Sequence, residues 1–365
     1  MYVSDPVYNF CAGPAMLPVP VMQKIRDEFL DFNNMGMSLI EISHRSKEFE
    51  AVLARCDELV REIANLPANY QILYTHGGAQ MQFSAVPLNL LGLKPAHKAV
   101  YCESGWFSRL ANVEAARYGN IEIASSSKDS QYDRIPPFTR DMITDDTSYA
   151  FITSNNTIYG TRYHHIPDLA DIPLVIDATS DIFSRPIDFS KTGVVFAGMQ
   201  KNLGPSGTAM TIVREDLIGH ALERTPSLLN YSVYHKAHSL PNTINTFAIY
   251  TMSLVLQWMK DMGGVVALET LNENKAQTIY KVIDDQNFYT GTAHPEHRSR
   301  MNVTFLLPTE ELTTIFLKEA LANGLYALKG HKVVGGIRAS IYNAMPLAGC
   351  QKLAEFMREF ARTKG

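Results

Sequence analysis

Short apolar runs alternate with stretches of helical periodicity along most of the sequence, and this alternation limits the possible folds more than any other feature. Each run has four or five residues, which suits a buried strand better than a helix. The runs lie at 71–74, 98–102, 149–153, 173–177, 194–197 and 209–213. Strands that are separated by helices and loops predict an α/β architecture with a mostly parallel sheet.

The helical periodicity is strongest over residues 47–65, where apolar residues recur every three or four positions and Ser46 stands where an N-cap belongs. The same rhythm predicts helices at 20–33 and at 81–91.

The last hundred residues follow another pattern. Predicted helices at 264–284, 309–323 and 347–362 bracket strand-like stretches at 301–307 and 333–342. A chain of 365 residues is long enough for two domains. We therefore expect a large domain over 17–262 and a smaller α+β domain formed by 1–16 with 263–365.

Composition excludes several classes of protein. The net charge is −4 and no block of basic residues occurs, which argues against nucleic acid as a partner. No stretch approaches the roughly 20 apolar residues of a membrane span, and Met1–Pro6 do not resemble a secretion signal. The four cysteines are scattered and predict reduced thiols. We expect a soluble, cytoplasmic protein.

Two ionisable residues follow neighbouring apolar runs. One run ends in Asp177, and the run at 194–197 leads into a turn that bears Lys201. Ligands of open α/β sheets bind at the carboxyl ends of strands. Pyridoxal phosphate requires such a pair, because a lysine amine forms the Schiff base and a carboxylate keeps the pyridine nitrogen protonated.

The segment Thr75–Gln80 joins a predicted strand to a predicted helix through Gly77 and Gly78. Free backbone N–H groups at the start of a helix bind phosphate, and glycines allow the backbone to come close. Alone, this turn also fits a tight strand–helix connection. In one chain with Asp177 and Lys201, it predicts the cradle for the cofactor phosphate.

Four segments carry a resemblance to a known family. They are Asn9–Ala15, Ile42–Ser46, Gln200–Pro205 and Lys329–Ser340. Together they closely resemble phosphoserine aminotransferases, class V aminotransferases with the fold-type-I architecture of pyridoxal 5'-phosphate enzymes. The resemblance implies a mostly parallel seven-stranded sheet in the large domain and a homodimer whose active sites are shared between the two chains.

The resemblance also implies a reaction, in which 3-phosphooxypyruvate and L-glutamate are interconverted with O-phospho-L-serine and 2-oxoglutarate in serine biosynthesis. A phosphorylated four-carbon substrate, 4-phosphohydroxy-L-threonine of pyridoxine biosynthesis, is a further option that the sequence does not decide.

Site residues follow from the matching positions. The resemblance makes Lys201 the Schiff-base lysine and Asp177 the partner of the pyridine nitrogen, and it gives Arg338 the substrate α-carboxylate. The other expected cofactor contacts are Ala79, Gln80, Phe107, Thr157, Gln200, Asn242 and Thr243, the last two from the neighbouring chain. The substrate phosphate or the glutamate side chain is expected to meet His44, Arg45, His331 and Lys332, some from the neighbouring chain.

Some positions depart from the family pattern. The ring that stacks on the cofactor is usually Trp; here Phe107 aligns with it and Trp106 lies beside it, and we favour Phe107. Gln80 stands where Arg is common, which lowers cofactor affinity only if the side chain, and not the backbone alone, binds the phosphate. Lys332 also stands where Arg is common; lysine keeps the charge but lacks the planar guanidinium, so phosphate binding is less directional. Asn156 replaces a more usual Glu, which leaves Thr157 in place.

The glycine motif of dinucleotide-binding enzymes and the Gly-x-Ser-x-Gly motif of hydrolases do not occur. His164, His165 and Asp168 read as a surface loop, and we expect no metal site. The remaining alternatives are another fold-type-I transaminase, a cysteine desulfurase, and a catalytically silent protein that binds a phosphorylated metabolite.

Overall fold

The computed structural model of the protein describes residues 7–365. Its α-helices are α1 (Val19–Glu28), α2 (Lys47–Ala64), α3 (Gly78–Leu90), α4 (Trp106–Ala115), α5 (Tyr231–Lys236), α6 (Thr246–Asp261), α7 (Gly264–Asp285), α8 (Glu310–Ala322) and α9 (Leu347–Lys364). Its strands are β1 (Tyr8–Asn9), β2 (Tyr70–His76), β3 (Lys98–Glu103), β4 (Asn120–Ser126), β5 (Thr147–Thr153), β6 (Asn155–Asn156), β7 (Thr161–Arg162), β8 (Leu174–Asp177), β9 (Val194–Gly198), β10 (Thr208–Arg214), β11 (Thr290–Gly291), β12 (Asn302–Leu306), β13 (Leu325–Tyr326) and β14 (Ile337–Ser340).

A seven-stranded sheet of order β2-β10-β9-β8-β5-β3-β4 forms the centre of the fold. Strand β10 runs antiparallel to both of its neighbours, and the pairs from β9 to β4 are parallel. This confirms the predicted α/β class, the mostly parallel sheet and its seven strands. Helices cover both faces, which is why β3, β5, β8 and β9 are buried along their whole length.

Each of the six apolar runs became a strand of this sheet. No apolar run marked the position of the seventh strand, β4. Strand β4 lies at the edge, where all seven of its residues are exposed or half-exposed. An edge strand contacts the core with few residues, so its sequence lacks the apolar run that marks the others.

The helix predicted at 47–65 is confirmed as α2, and Ser46 accepts a hydrogen bond from the backbone N–H of Phe49. The prediction at 20–33 was too long, because α1 ends at Glu28. Beyond it the chain turns back, and the Asp31 side chain accepts a hydrogen bond from Gly36 N–H at 2.7 Å. The turn buries Phe32, whose position in the helical rhythm caused the error.

The carboxyl-terminal part contains the predicted helices as α7, α8 and α9 and the predicted strands as β12 and β14. Its buried residues form a hydrophobic cluster separate from that of the large sheet. Phe10 belongs to this second cluster, and β1 pairs with β13. The domain boundaries stay a prediction, and the portion at residues 1–6 lies outside the described residues. Among residues 7–365, no helix is both long and apolar enough to cross a membrane.

A buried lysine on helix α7 binds the backbone of the loop that follows β14. Lys275 is fully buried, and its Nζ lies within 3.3 Å of four backbone carbonyl oxygens, those of Ile341, Tyr342, Asn343 and Met345. Burial lowers the pKa of this amine to about 8. The carbonyl groups take the place of water around the ammonium and are themselves satisfied by it.

Replacing Lys275 with Met should remove this donor and leave buried carbonyl groups unpaired. We expect Lys275→Met to lower the free energy of unfolding by about 1–3 kcal/mol, the usual cost of unpaired buried polar groups. Urea unfolding followed by circular dichroism measures the change. The matched control is Lys281→Met, since Lys281 is exposed on the same helix. Equal midpoints for the two variants would contradict the role of Lys275.

Candidate active site

The carboxyl ends of β2, β9, β8, β5 and β3 lie along one edge of the sheet, because these five strands run in the same direction. A cavity of about 640 Å³ opens there. Chain segments that follow all five strands form its walls, and residues 12–14 and part of the 331–338 segment complete it.

Nine of the fourteen predicted site residues line this single cavity: Ala79, Gln80, Phe107, Thr157, Asp177, Gln200, Lys201, His331 and Arg338. The other five, which are His44, Arg45, Asn242, Thr243 and Lys332, do not line it. The group that the structure brings together thus includes the proposed Schiff-base lysine, its carboxylate and the proposed receptor of the substrate carboxylate.

Lys201 lies at the floor of the cavity with only 7 % of its surface exposed. Its Nζ donates a hydrogen bond to Thr157 Oγ1 at 2.7 Å and lies 5.5 Å from the centre of the Phe107 ring. Burial is the main cause that lowers the pKa of Lys201 to about 8, with Arg338 acting in the same direction and Asp177 opposing it. With this pKa about a tenth of the amine is unprotonated at pH 7, compared with fewer than about one in a thousand for an ordinary lysine.

Asp177 ends β8 and is buried. Burial raises its carboxyl pKa, whereas hydrogen bonds from Thr179 and the charge of Lys201 act to lower it. The backbone N–H of Thr179 donates to Asp177 Oδ1 at 3.0 Å, and the Thr179 hydroxyl accepts from Gly198 N–H. Thr179 thereby links the two strand ends, a role that the sequence analysis missed although a Thr two residues after an Asp favours such a turn.

The predicted phosphate cradle is the start of α3. Gly77, with φ of 84°, turns the chain out of β2, and no side chain caps the helix. The first N–H groups of α3 are therefore available to an anion. A Cβ on Gly198 would lie 3.1 Å from Ala79 N and 2.5 Å from Gln200 Oε1, so this position keeps the approach to the cradle open.

The donor set of the cavity fits pyridoxal phosphate. The uncapped start of α3 offers backbone N–H donors, and the side-chain amide of Gln200, whose buried Oε1 has no hydrogen-bond partner in the structure, lies next to it and carries N–H donors as well. A phosphate would occupy the cradle, Asp177 would face the pyridine nitrogen, and Lys201 would carry the aldehyde carbon. Each charged or polar part of the cofactor thus has a residue of suitable chemistry in one cavity.

Two aromatic rings form one wall, and Gly105 before them allows α4 to approach β6. A Cβ on Gly105 would lie 2.5 Å from Asn156 Oδ1. Phe107 turns its ring toward Lys201, whereas Trp106 contacts His331, with 6.3 Å between the ring centroids. This arrangement favours Phe107, whose ring faces Lys201, as the ring that would stack on the cofactor, while Trp106 lines the same cavity beside His331.

The wall opposite the sheet carries positive charge. Arg338 lies on β14, and burial lowers its pKa, while Tyr342 and Cys11 act in the other direction. No carboxylate within residues 7–365 forms a salt bridge with Arg338. His331 lies next to it, and its pKa is lowered by burial and by the charges of Arg338 and Lys332. A cation without an anionic partner in a cavity is a receptor for an anionic ligand.

The remaining predicted residues lie elsewhere on the same chain. Arg45 is exposed and lines another cavity, beside Asp57 and His238. His44 Nε2 is buried without a hydrogen-bond partner in the structure.

Asn242 and Thr243 lie near the end of β2. Asn242 Oδ1 is 3.1 Å from His76 Nε2, and Thr243 is exposed. None of these side chains lines the cavity of its own chain.

The loop with His164 and His165 does not gather metal ligands. His164 Nδ1 lies 3.3 Å from an Arg162 nitrogen, and Asp168 pairs with Lys191. The cysteines also stay apart, with Cys56, Cys102 and Cys350 buried.

Comparison with known proteins agrees with this geometry. The model of the aminotransferase class-V family matches residues 7–353. Phosphoserine aminotransferase of Acidithiobacillus ferrooxidans is 45 % identical over 364 residues, which cover 100 % of both chains. The solved phosphoserine aminotransferase of Bacillus circulans subsp. alkalophilus superposes with a TM-score of 0.95 at 41 % identity and covers 98 % of this chain and 99 % of that one. The pyridoxal-phosphate-bound enzyme of Trichomonas vaginalis gives 0.91 at 33 % identity, over 96 % of this chain and 99 % of its own.

Fold and cavity together define a pyridoxal-phosphate-dependent transaminase. The resemblance noted in the four sequence segments extends over the whole described chain. The chain belongs to the class-V aminotransferases and, within them, to the phosphoserine aminotransferase family.

The lowered pKa of Lys201 predicts how cofactor uptake depends on pH. Only the unprotonated amine reacts, so the rate at which the cofactor-free protein takes up pyridoxal phosphate should rise from pH 7, be half-maximal near pH 8 and level off about one pH unit above that. The absorption of the bound cofactor measures the rate. In Asp177→Asn the rise should move to lower pH, because the Asp177 carboxylate raises the pKa of Lys201. A rise centred near the ordinary lysine pKa of about 10.4 would contradict the burial argument.

Proposed function

We propose that the protein transfers the amino group of L-glutamate to 3-phosphooxypyruvate, which gives O-phospho-L-serine and 2-oxoglutarate, and that it also catalyses the reverse reaction. One observation carries the proposal: a single cavity joins the buried Lys201 and Asp177 to a wall with the unpaired cation Arg338. The full-length similarity to phosphoserine aminotransferases supports the choice of substrates.

Lys201 is the residue that moves the proton. When pyridoxal phosphate is bound, its ring withdraws electrons from the substrate α-carbon and makes the proton on that carbon acidic. Lys201 Nζ takes this proton as a general base, and its lowered pKa suits the task because a base works best near the operating pH. Thr157 holds the amine in place through its hydrogen bond.

Asp177 holds a proton at the pyridine nitrogen. Its carboxylate is oriented by the hydrogen bond that Oδ1 accepts from the Thr179 backbone N–H. We assign the phosphate cradle to Ala79 and Gln80, together with Gln200, and the stacking ring to Phe107. The side chains of Phe107, Trp106 and Ile158 reduce the access of water to the reacting carbon.

Substrate binding relies on charge. Both amino-acid substrates carry an α-carboxylate, which the guanidinium of Arg338 matches with two parallel hydrogen bonds. The second anionic group is a phosphate in phosphoserine and a carboxylate in glutamate. His331 lies in the cavity and Lys332 follows it in sequence, so this segment is suited to receive either group.

We further propose that the protein is a cytoplasmic homodimer and that each active site uses residues of both chains. His44, Arg45, Asn242 and Thr243 lie outside the cavity of their own chain. Apolar side chains near His44 are unusually exposed for their type, with Ile40 at 56 % and Met37 at 41 %. A second chain packed on this surface would cover them and bring the cations of residues 44–45 to the neighbouring cavity.

The proposed reaction has a direct test. The protein loaded with cofactor should form glutamate from phosphoserine and 2-oxoglutarate, and Lys201→Ala should lose at least about 99 % of the rate, since removal of a catalytic base costs about 10²–10⁴-fold. A coupled glutamate assay measures the turnover, and circular dichroism checks that the variant folds. Transfer from other amino acids but not from phosphoserine would indicate a different transaminase. Binding of phosphoserine without any transfer would indicate a silent metabolite-binding protein.

Shared active sites predict that two inactive variants restore activity when they are combined. In a hybrid dimer of Lys201→Ala with Arg45→Ala, one site has neither substitution. Random mixing of the two chains should therefore recover about a quarter of the wild-type sites. Co-expression with two affinity tags and an activity assay measures the recovery.

The control for this experiment combines Lys201→Ala with a chain that carries both Lys201→Ala and Arg45→Ala. No site of that mixture contains Lys201, so it should stay inactive. If the Lys201→Ala and Arg45→Ala mixture is no more active than the average of its two parents, Arg45 does not act across a dimer interface.

A further inference from the structure

A group of metal-binding side chains lies apart from the active site, in the turn between β11 and β12. Glu296 and His297 belong to the 3-10 turn Pro295–His297, and His294 precedes it as the N-cap. One potential ligand atom from each of the three lies within 4.8 Å of the other two. His294 Nδ1 is 4.0 Å from Glu296 Oε2, and the two imidazole rings have their centroids 5.9 Å apart. None of the three residues lines the active-site cavity.

The chemistry of the three ligands selects the kind of metal. Two imidazole nitrogens and one carboxylate oxygen suit Zn²⁺ and similar transition metals, whereas Mg²⁺ and Ca²⁺ prefer oxygen ligands alone. In a tetrahedral zinc site with bonds of about 2.0–2.1 Å, ligand atoms lie about 3.3 Å apart. His294 and Glu296 are exposed, so their side chains are free to rotate and close the difference.

We propose that His294, Glu296 and His297 form a binding site for one Zn²⁺ ion, with water completing its coordination. The site is independent of the transamination chemistry and of the substrates proposed above. Pro295 stands between the two ligands His294 and Glu296 and restricts the backbone of the turn, which lowers the entropy lost when the metal is bound.

The position of this turn gives the metal a structural consequence. The backbone N–H of His294 donates to the Asp133 carbonyl at 2.8 Å, and Ser299 N–H donates to the Gly160 carbonyl at 2.7 Å. The backbones of Arg298 and Thr161 form an isolated antiparallel β-bridge. The turn therefore joins the carboxyl-terminal part of the chain to the segment 157–162, which begins with Thr157. A metal that fixes the turn would stabilise this connection between the two parts of the chain.

Zinc binding to the purified holoenzyme tests the proposal. Equilibrium dialysis against ZnCl₂ in a phosphate-free buffer should give one Zn²⁺ per chain. His294→Ala and His297→Ala should each weaken binding by at least about tenfold, since even the loss of an outer-shell partner lowers metal affinity by about 10–100-fold. Glu296→Gln should also weaken binding, because it removes the charge and keeps the size. The matched control is His220→Ala, an exposed histidine of the large-sheet region that should leave the affinity unchanged.

A second measurement separates this site from other zinc ligands, such as the partly exposed Cys11. ZnCl₂ should raise the thermal midpoint of the wild-type protein, and MgCl₂ at the same concentration should not. The zinc effect should be absent in His297→Ala, whose transaminase activity should equal that of the wild type. The proposal is wrong if the wild type binds no zinc, or if His294→Ala and His297→Ala bind it as tightly as the wild type does.

Discussion

The burial of one lysine amine among groups that control its charge is the interaction on which the site depends. Lys201 is removed from water, which lowers its pKa to about 8, and it is held by the Thr157 hydroxyl. Asp177 is the main charge that opposes the burial effect, and Asp181 acts in the same direction. A parallel sheet makes this arrangement possible, because the carboxyl ends of adjacent strands place both residues at one edge.

The same edge is connected to the carboxyl-terminal part of the chain by hydrogen bonds between buried amides. Asn202, next to Lys201, accepts from the backbone N–H of Asn343, and the Asn343 side chain contacts Asn272 on α7. Lys275 holds the carbonyl groups of this loop from the other side. Because the loop directly follows β14, these bonds also fix Arg338 relative to Lys201. The charge of Arg338 is thus positioned by buried amides and by Lys275, none of which lines the cavity.

Strands that are buried on both faces could be predicted from the sequence, whereas the edge strand and the end of a helix could not. The apolar runs that became β8 and β9 could be recognised from the sequence alone, because four or five consecutive apolar residues are typical of a buried strand. The edge strand β4 and the end of α1 at Glu28 depend on contacts with distant residues. Phe32 shows the difficulty: it continues the helical rhythm of α1 in sequence, but the turn at Asn33 and Asn34, both with positive φ, buries it from another direction.

By itself the sequence determined the α/β class, the strand ends that carry Asp177 and Lys201, and the family, because local patterns and short motifs encode these features. The tertiary structure decided which of the predicted residues share a cavity. It assembled Arg338 and His331 with Lys201 from segments more than a hundred residues apart, and it left Arg45 and Thr243 outside. It also made Thr179 a link between two strand ends. Such relations arise from long-range packing and strand order, which no local stretch of sequence contains.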